Sequence, residues 1–233
     1  MPKIPVIAID GPSGAGKGTV ASIVADTLGY HLLDSGAVYR AAGLQAFQCG
    51  ADLENEPSVL ACLDSMKANF RPHPEGVQVF LHGQDVTAEL RLESTAAAAS
   101  KVAAMPLIRA ALLDEQRSFR VSPGLVADGR DMGTVVFPDA EVKVFLSASA
   151  SVRAARRAKQ LKEKGLHVNM ESLIQEISIR DERDCCREHA PLAAASDALI
   201  IDSSNLSIEA VVAQILAALP ATAERIPNIV IGS

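Results

Sequence analysis

The residues with the clearest chemistry form a glycine-rich run with one lysine, directly after an apolar stretch. The stretch is Val6–Asp10, and the run is Gly11, Pro12, Ser13, Gly14, Ala15, Gly16, Lys17, Gly18 and Thr19. Glycines permit backbone conformations that other residues avoid, so that N–H groups can point at phosphate oxygens. A helix that begins at Lys17 adds its N-terminal N–H groups, and the lysine adds a mobile charge. The pattern predicts a loop that binds a nucleoside triphosphate.

The end of this run departs from the general phosphate-loop pattern. Gly18 stands where a Ser or Thr hydroxyl normally contacts Mg²⁺, and Thr19 comes one residue later. We therefore expect no direct protein ligand for Mg²⁺, which would be held through waters, with Thr19 and Asp128 as candidates. The Gly-Lys-Gly-Thr ending is similar to that of nucleoside monophosphate kinases.

Two further polar segments follow short apolar strands. In Asp34–Arg40, a hydroxyl, a helix N-terminus and the Arg40 guanidinium can face a second phosphate, although a helix cap with a surface arginine is the alternative. In Asp128–Thr134, Asp128 can orient Mg²⁺ and Arg130 can neutralise a transferring phosphoryl group. A structural ion pair between Arg130 and Asp131 is the alternative there.

Basic residues recur on two predicted helices. Arg180, Asp184 and Arg187 share one face of a helix that Asn169 caps and that extends to about Glu188. Their alternative role is an exposed ion pair. On a basic helix from Ser151 to Lys164, Arg153, Arg156 and Arg157 share a face, which is typical either of a solvated surface or of a lid on a triphosphate.

Apolar strands alternate with helices along the chain, which predicts an α/β fold with a mostly parallel sheet and ligands at the carboxyl ends of its strands. The predicted sheet strands are Val6–Asp10, His31–Asp34, Leu125–Ala127, Val142–Leu146 and Ala198–Asp202. Further helices are predicted at 17–28, 35–50, 106–121 and 208–219. Residues 57–100 interrupt this alternation with a helical stretch, a strand at Val77–Leu81 and an alanine-rich run, and we interpret them as an inserted subdomain.

Composition restricts the classes of function. The chain has 233 residues and a net charge of −6, which argues against a broad nucleic-acid surface, and only 3% of its residues are aromatic. We find no apolar run of membrane-spanning length and no signal peptide, and the four cysteines lack C-x-x-C spacing. These features predict a soluble, cytoplasmic protein with small-molecule partners, and a monomer is the default expectation for a chain of this size.

Taken together, the phosphate loop, Asp34–Arg40, Asp128–Pro138 and Arg180–Asp184 closely resemble the bacterial cytidylate kinases over residues 5 to 217. The resemblance implies transfer of the γ-phosphoryl group of ATP to CMP or dCMP on a five-stranded parallel sheet flanked by helices, the P-loop kinase fold. It also implies one domain over residues 1–233, with a monophosphate-binding insertion at about 57–104 and a short helical lid at about 151–168.

The same resemblance assigns roles to individual residues. The implied catalytic residues are Lys17, Asp128, Arg130, Arg153 and Arg157, and ATP is implied to bind residues 11–19. The implied CMP-binding residues are Ser35, Arg40, Arg130 and Arg187 near the phosphate, Ser100, Arg109 and Asp131 near cytosine, Arg180 and Asp184 at the ribose, and Tyr39. Two alternatives remain open: a kinase for UMP, AMP or a small metabolite, and a regulator that only hydrolyses or senses ATP.

Overall fold

The computed structural model describes residues 3–73, 76–163, 165 and 167–220. In chain order its strands are β1 (Val6–Asp10), β2 (His31–Asp34), β3 (Ala68–His73), β4 (Gly76–Leu81), β5 (Gln84–Asp85), β6 (Leu125–Gly129), β7 (Val142–Ser147) and β8 (Leu199–Asp202). Its helices are α1 (Lys17–Leu28), α2 (Ser35–Gln48), α3 (Glu56–Leu63), α4 (Glu93–Val102), α5 (Pro106–Ser118), α6 (Ala150–Glu163), α7 (Met170–Cys186) and α8 (Ile208–Ala217).

The chain divides into two compact units. The first unit comprises the described parts of Met1–Leu32 and Arg120–Ser233, and the second unit comprises Leu33–Phe119. The predicted insertion at about 57–104 lies inside the second unit, and the predicted lid at about 151–168 lies inside the first. Residues 164 and 166 of that lid are outside the described residues.

Among the described residues, five strands form one parallel sheet in the order β2-β6-β1-β7-β8, which confirms the predicted fold class. β1 is the central strand, and its last residue, Asp10, lies opposite Gly129 on one side and Phe145 on the other. Because neighbouring parallel strands end at the same edge, the segments that follow β1, β6 and β7 begin close together.

The strands of the sheet are apolar, and helices pack against them. Every residue of β1 is buried, as expected for a parallel strand with helices on both faces. One core cluster packs Ile7 and Ile9 against Val24 of α1 and Ile215 of α8. Full burial of each large apolar side chain stabilises the fold by about 1.5 to 3 kcal/mol, so this core holds β1, and the loop after it, in place.

The second unit has its own core. Helices α2 and α4 pack so closely that a Cβ built at Gly43 of α2 would lie only 3.0 Å from the backbone nitrogen of Ala99 on α4. A larger residue than glycine would not fit there without a shift. β3, β4 and β5 form an antiparallel sheet, and Val79 and Leu81 pack with Leu44 in one apolar cluster. Sequence patterning predicted the strand at β4 but missed β3, which reads Ala-Asn-Phe-Arg-Pro-His and buries little of its surface.

The other predicted elements agree with the structure to within a few residues at their ends. α5 ends at Ser118 instead of about Val121, and α8 ends at Ala217 instead of Leu219. No single helix among the described residues is long and apolar enough to cross a membrane. Within the described part of the chain, the bent pair of α4 and α5, at 103°, passes that test by length and composition alone.

Candidate functional site

The glycine-rich run forms a loop between β1 and α1 in which Gly11, Gly14 and Gly16 all have the positive φ that favours glycine. Gly11 has φ 150°, and a Cβ there would lie 2.0 Å from the carbonyl oxygen of Leu146, so no side chain fits. Gly16 has φ 96° and caps α1 in the left-handed region without a side-chain hydrogen bond. The backbone conformation expected of a phosphate loop is therefore present.

Three cationic side chains bind the carbonyl oxygens of this loop. Lys17 donates to the Pro12 oxygen at 3.0 Å, Arg153 donates to the Ser13 oxygen at 3.0 Å, and Arg156 donates to the Ala15 oxygen at 3.1 Å. Each bond fixes the direction of one peptide plane, because the C=O and N–H groups of a single peptide unit lie in the same plane. The two arginines of α6 therefore help to set the conformation of the loop.

Lys17 is a desolvated charge at the start of α1. Its side chain is 6% exposed, and its ammonium nitrogen lies 3.7 Å from a carboxylate oxygen of Asp128. Burial, followed by the nearby Arg130 charge, lowers the pKa of Lys17 to about 8, while Asp128 and Asp10 act in the opposite direction. In such a site an added anion interacts strongly with the lysine, because little water screens the two charges.

The candidate Mg²⁺ residues lie beside this lysine. A Cβ built at Gly18 would be 3.5 Å from the Asp128 carboxylate, so the position where other phosphate loops carry a hydroxyl faces this acid. Thr19 is exposed. Among the described residues, no group of three or more His, Cys, Asp or Glu side chains could hold a metal ion directly. An oxygen donor set of one carboxylate and one hydroxyl suits a hydrated Mg²⁺.

Asp10 is a buried carboxylate that sequence analysis left without a role. Its two oxygens accept hydrogen bonds from the backbone N–H groups of Met132 and Gly133, both at 2.8 Å. The pKa of Asp10 is raised to about 6, mainly because burial disfavours the charged carboxylate. The two N–H bonds lower the pKa and so partly offset this effect. The signal available in the sequence was its place at the end of an apolar strand, which Asp34 and Asp128 share.

The acidic and basic residues after β6 pair with the segment around the end of α7. Arg130 Nε donates to Asp184 Oδ2 at 2.9 Å, and Arg187 Nη2 lies 3.8 Å from Asp131 Oδ1. Asp131 and Asp184 are both buried. The ion pairs therefore link two elements, instead of lying along one exposed helix face or within the Asp128–Thr134 segment.

The helix assignment of Arg187 was wrong. α7 ends at Cys186, and Arg187 has an extended backbone with φ −64° and ψ 138°. The chain then turns back, so that the Leu192 N–H donates to the Asp184 carbonyl at 2.8 Å. Pro191 restricts Ala190 to non-helical conformations, so the helix could not continue beyond this turn. Arg187 reaches Asp131 from this turn and not from the helix face that carries Arg180.

The two lid arginines have different surroundings. Arg153 is only 4% exposed and donates to both carboxylate oxygens of Asp181 on α7, at 3.1 and 2.5 Å. Arg157 is half-buried and makes a hydrogen bond of 3.4 Å to Gln160 on its own helix. The basic face predicted for α6 is thus not simply solvated, since Arg153 and Arg156 both bind the phosphate loop.

The second unit holds the remaining candidates. Asp34 caps α2 by accepting from the Ala37 N–H at 2.8 Å and pairs with Arg40 at 2.9 Å, so the capping interpretation of this segment is confirmed for Asp34. Ser35 donates to Gln116 at 2.8 Å. Arg109 lies over the Tyr39 ring at 5.6 Å, and Ser100 is buried on α4.

Comparison with known proteins decides the family. The cytidylate kinase family model matches residues 7–221. A cytidylate kinase of Aeromonas salmonicida is 53% identical over 218 residues, which cover 93% of this chain and 95% of that protein. The corresponding kinases of Photobacterium profundum and Klebsiella pneumoniae are 55% and 54% identical over 213 residues each, covering 91% of this chain and 93% and 94% of those proteins. This chain belongs to the cytidylate kinase family.

The cytidylate kinase match spans both units, and it includes every candidate residue named above. Within the first unit, the structure brings together the phosphate loop with Lys17 and Asp128, and separately Arg130 with Asp184 and Asp131 with Arg187. Within the second unit it brings together Asp34 with Arg40 and Tyr39 with Arg109. Sequence patterns gave no role to Asp10, Arg156, Asp181 and Ser203, whose side chains have structural contacts in the first unit.

Proposed function

We propose that this chain transfers the γ-phosphoryl group of ATP to CMP or dCMP, forming CDP or dCDP and ADP. The observation that carries the proposal is the buried Lys17 beside Asp128 at the base of a phosphate loop, in a chain of the cytidylate kinase family. The loop supplies backbone N–H donors, and Lys17 supplies the charge for the β and γ phosphates of ATP.

Mg²⁺ is the proposed metal partner of the ATP phosphates. The Asp128 carboxylate and the Thr19 hydroxyl would hold its coordinated waters, which agrees with the space that Gly18 leaves beside Asp128. When bound, Mg²⁺ neutralises charge on the phosphate oxygens. Asp128 also faces Lys17, so its carboxylate helps to keep the lysine protonated and positioned.

Four of the proposed CMP-binding residues of the first unit, Arg130, Asp131, Asp184 and Arg187, are held in two ion pairs. Arg130 is oriented by Asp184, and Arg187 by Asp131, so both guanidiniums are positioned to neutralise phosphate charge. The Asp131 carboxylate can accept a hydrogen bond from the cytosine amino group, whereas uracil carries a carbonyl oxygen there and would be repelled. Asp184 and Arg180 are the proposed contacts of the ribose.

The second unit contributes a further set of proposed CMP contacts. Tyr39 and Arg109 stack in a cation–π arrangement, which orients the guanidinium toward its ligand at little entropic cost. Ser35 is the first residue of α2, and Arg40, in the second turn, pairs with the N-cap residue Asp34, so both side chains lie near a helix N-terminus where N–H groups and dipole favour a phosphate. The proposed residues of this unit are Ser35, Tyr39, Arg40, Ser100 and Arg109.

The chemistry proposed requires no protein base. The second pKa of a phosphate monoester is about 6, so the attacking oxygen of CMP is already ionised at neutral pH. The protein then accelerates transfer by aligning the two nucleotides and by stabilising charge in the transition state, the roles proposed for Lys17, Arg130, Arg153 and Arg157. Of these, Arg153 is bound to Ser13 and Asp181, which favours a positioning role for it.

We propose a single kinase domain over residues 1–233, with the monophosphate-binding insertion at about 57–104 and the lid at about 151–168. We propose that its only partners are the nucleotides that it binds as substrates, and that the protein is a cytoplasmic monomer. The net charge of −6 supports the exclusion of nucleic acid as a partner.

The test is ADP release from purified protein with ATP, Mg²⁺ and each of CMP, dCMP, UMP and AMP, with a control that contains no acceptor. Fast release with CMP and dCMP alone is the expected result. Fast release with UMP or AMP, and not with CMP, would mean that the protein is a kinase for that other acceptor. Slow release that no acceptor changes would contradict the kinase proposal and favour a protein that only hydrolyses or senses ATP.

A further inference from the structure

Asp10 connects two segments that are distant in the sequence. It is the last residue of β1, directly before Gly11 of the phosphate loop, and it accepts hydrogen bonds from the Met132 and Gly133 N–H groups. Those N–H groups follow Arg130 and Asp131 immediately. One carboxylate therefore links the strand that supports the ATP loop to the segment that carries two proposed CMP contacts.

The turn that Asp10 holds begins with buried N–H groups that have no acceptor inside the turn. Residues Met132–Val136 form a π-helical turn, in which the N–H groups of Val135 and Val136 both donate to the Asp131 carbonyl. The first N–H groups of any helical turn have no acceptor within the turn. Asp10 provides that acceptor from another element, as an N-cap residue does from the same chain segment.

The approach is close, and the carboxylate is costly to bury. Asp10 is 5% exposed, and a Cβ at Gly133 would lie 3.4 Å from Asp10 Oδ2 and 3.2 Å from the Lys143 side chain. An apolar residue at position 10 would avoid the desolvation of a charge but would leave two buried N–H groups without an acceptor. The geometry therefore favours a carboxylate with two parallel acceptors.

We propose that Asp10 is a positioning residue for CMP recognition, which acts through the backbone of Met132 and Gly133 on the placement of Arg130 and Asp131. This inference rests on the proposed function. Asp10 precedes the phosphate loop but reaches the turn with both oxygens, so the loss of its bonds is expected to affect the CMP side more than the ATP side. The side chain touches neither nucleotide in this role.

The first experiment compares wild type, Asp10→Asn and the control Asp202→Asn in steady-state kinetics. An asparagine keeps the shape of Asp10 but can accept only one of the two N–H bonds and turns a donor toward the other. Asp202 is an exposed carboxylate that, like Asp10, is the last residue of a sheet strand and accepts a backbone N–H, that of Ser204 at 2.9 Å. We expect KM for CMP to rise about tenfold in Asp10→Asn, KM for ATP to change less than about threefold, and Asp202→Asn to match wild type.

Equal changes in both KM values, or no change, would overturn the inference. A wild type without CMP kinase activity would instead contradict the proposed function, so the two failures are distinguishable. A general loss of folding would lower the active fraction and hence kcat, without a selective effect on KM for CMP.

A second experiment asks whether Asp10 acts through Asp131. In wild type, Asp10→Asn should lower the ratio of kcat/KM for CMP to kcat/KM for UMP by about tenfold. In an Asp131→Asn background the same change should alter this ratio less than about twofold, because the group that it positions is gone. Equal losses in the two backgrounds would mean that Asp10 does not act through Asp131.

If Asp10→Asn does not fold, amide hydrogen exchange in wild type addresses the same question. CMP should slow exchange at Met132 and Gly133 more than ATP does, because the segment just before them binds CMP. Equal protection by both nucleotides, or none by CMP, would overturn the inference.

Discussion

The Arg153 guanidinium donates from both terminal nitrogens to the Asp181 carboxylate, at 3.1 and 2.5 Å. The nitrogen that makes the longer bond also donates to the Ser13 carbonyl of the phosphate loop at 3.0 Å. Arg153 thus joins the ATP loop to α7, the helix that carries Arg180 and Asp184. The sequence places Arg153 and Arg157 alike on the lid helix, but only Arg153 is buried.

Substitution of these two arginines should have different consequences. Arg153→Gln removes the bonds to Ser13 and Asp181, so we expect about 2 kcal/mol of destabilisation, a fall in Tm of about 5 °C and a rise in KM for ATP. Arg157→Gln should leave Tm unchanged and lower kcat about tenfold or more. Thermal unfolding and steady-state kinetics of both variants check this, and identical behaviour of the two would contradict the division of roles.

Lys17→Met should greatly reduce activity without loss of stability. The variant keeps an apolar stem of similar length but removes the charge that the transition state requires, so kcat should fall by about 100-fold or more. Since burial lowers the pKa of Lys17, the charged lysine is unfavourable in the folded protein, and Tm should stay equal or rise. The control is Lys3→Met, which removes an exposed lysine. A Lys17→Met variant with normal turnover would overturn the assignment of the loop.

ATP binding should take up protons near pH 8. The pKa of Lys17 is about 8 without nucleotide, so about half of the molecules carry a neutral lysine at that pH. The ATP phosphates favour the charged form and raise this pKa, so binding should take up about 0.5 proton per ATP. Isothermal titration calorimetry in two buffers of different ionisation enthalpy measures this uptake. A binding enthalpy that does not depend on the buffer would contradict the prediction, and Lys17→Met is the control.

Asp184→Asn should weaken CMP and dCMP unequally. The variant keeps the shape of the side chain but weakens its acceptor strength toward a ribose hydroxyl and its 2.9 Å pair with Arg130. Loss of a hydrogen bond to a charged group is worth about 1.5 to 3 kcal/mol, so KM for CMP should rise by about tenfold or more, and KM for dCMP by less. Kinetics with both acceptors test this. Equal increases would show that Asp184 acts through Arg130 and not on the sugar.

The stability of the protein should carry a signature of Asp10 between pH 4 and 6. Burial raises its pKa from 3.8 to about 6, so in this range the folded state binds a proton that the unfolded state has lost. The contribution of Asp10 to the free energy of unfolding therefore falls as pH rises from 4 to 6, by as much as about 3 kcal/mol, and is constant above.

Urea unfolding of wild type and Asp10→Asn at pH 4, 5, 6 and 7 isolates this contribution. Between pH 4 and 6, the free energy of unfolding of wild type should fall relative to that of Asp10→Asn. Above pH 6 the difference between the two proteins should stay constant. A difference that stays constant over the whole range would mean that Asp10 has an ordinary pKa in the folded protein.

Much of the fold could be predicted from the sequence because its signals are local. β1 and α1 have the predicted bounds, since a buried apolar strand, glycines and a helix that stops at Gly29 lie within 24 residues of one another. β3 could not be predicted, because its residues are mostly exposed and its strand geometry comes from pairing with β4. The end of α7 was misplaced, because Arg187 leaves the helix and contacts the distant Asp131 and the carbonyl oxygen of Ala190 in the turn that follows.

The sequence by itself determined the phosphate loop, the parallel α/β order and the identity of the charged residues near the strand ends. Only the tertiary structure decided which charges pair: Asp10 with N–H groups 122 and 123 positions away, Arg153 with the loop 140 positions away, and Arg130 with Asp184. The physical reason is the sequence separation over which each interaction acts. Helix periodicity, caps and glycine turns depend on neighbours within a few residues, whereas burial and ion pairing depend on how the packed sheet brings remote segments together.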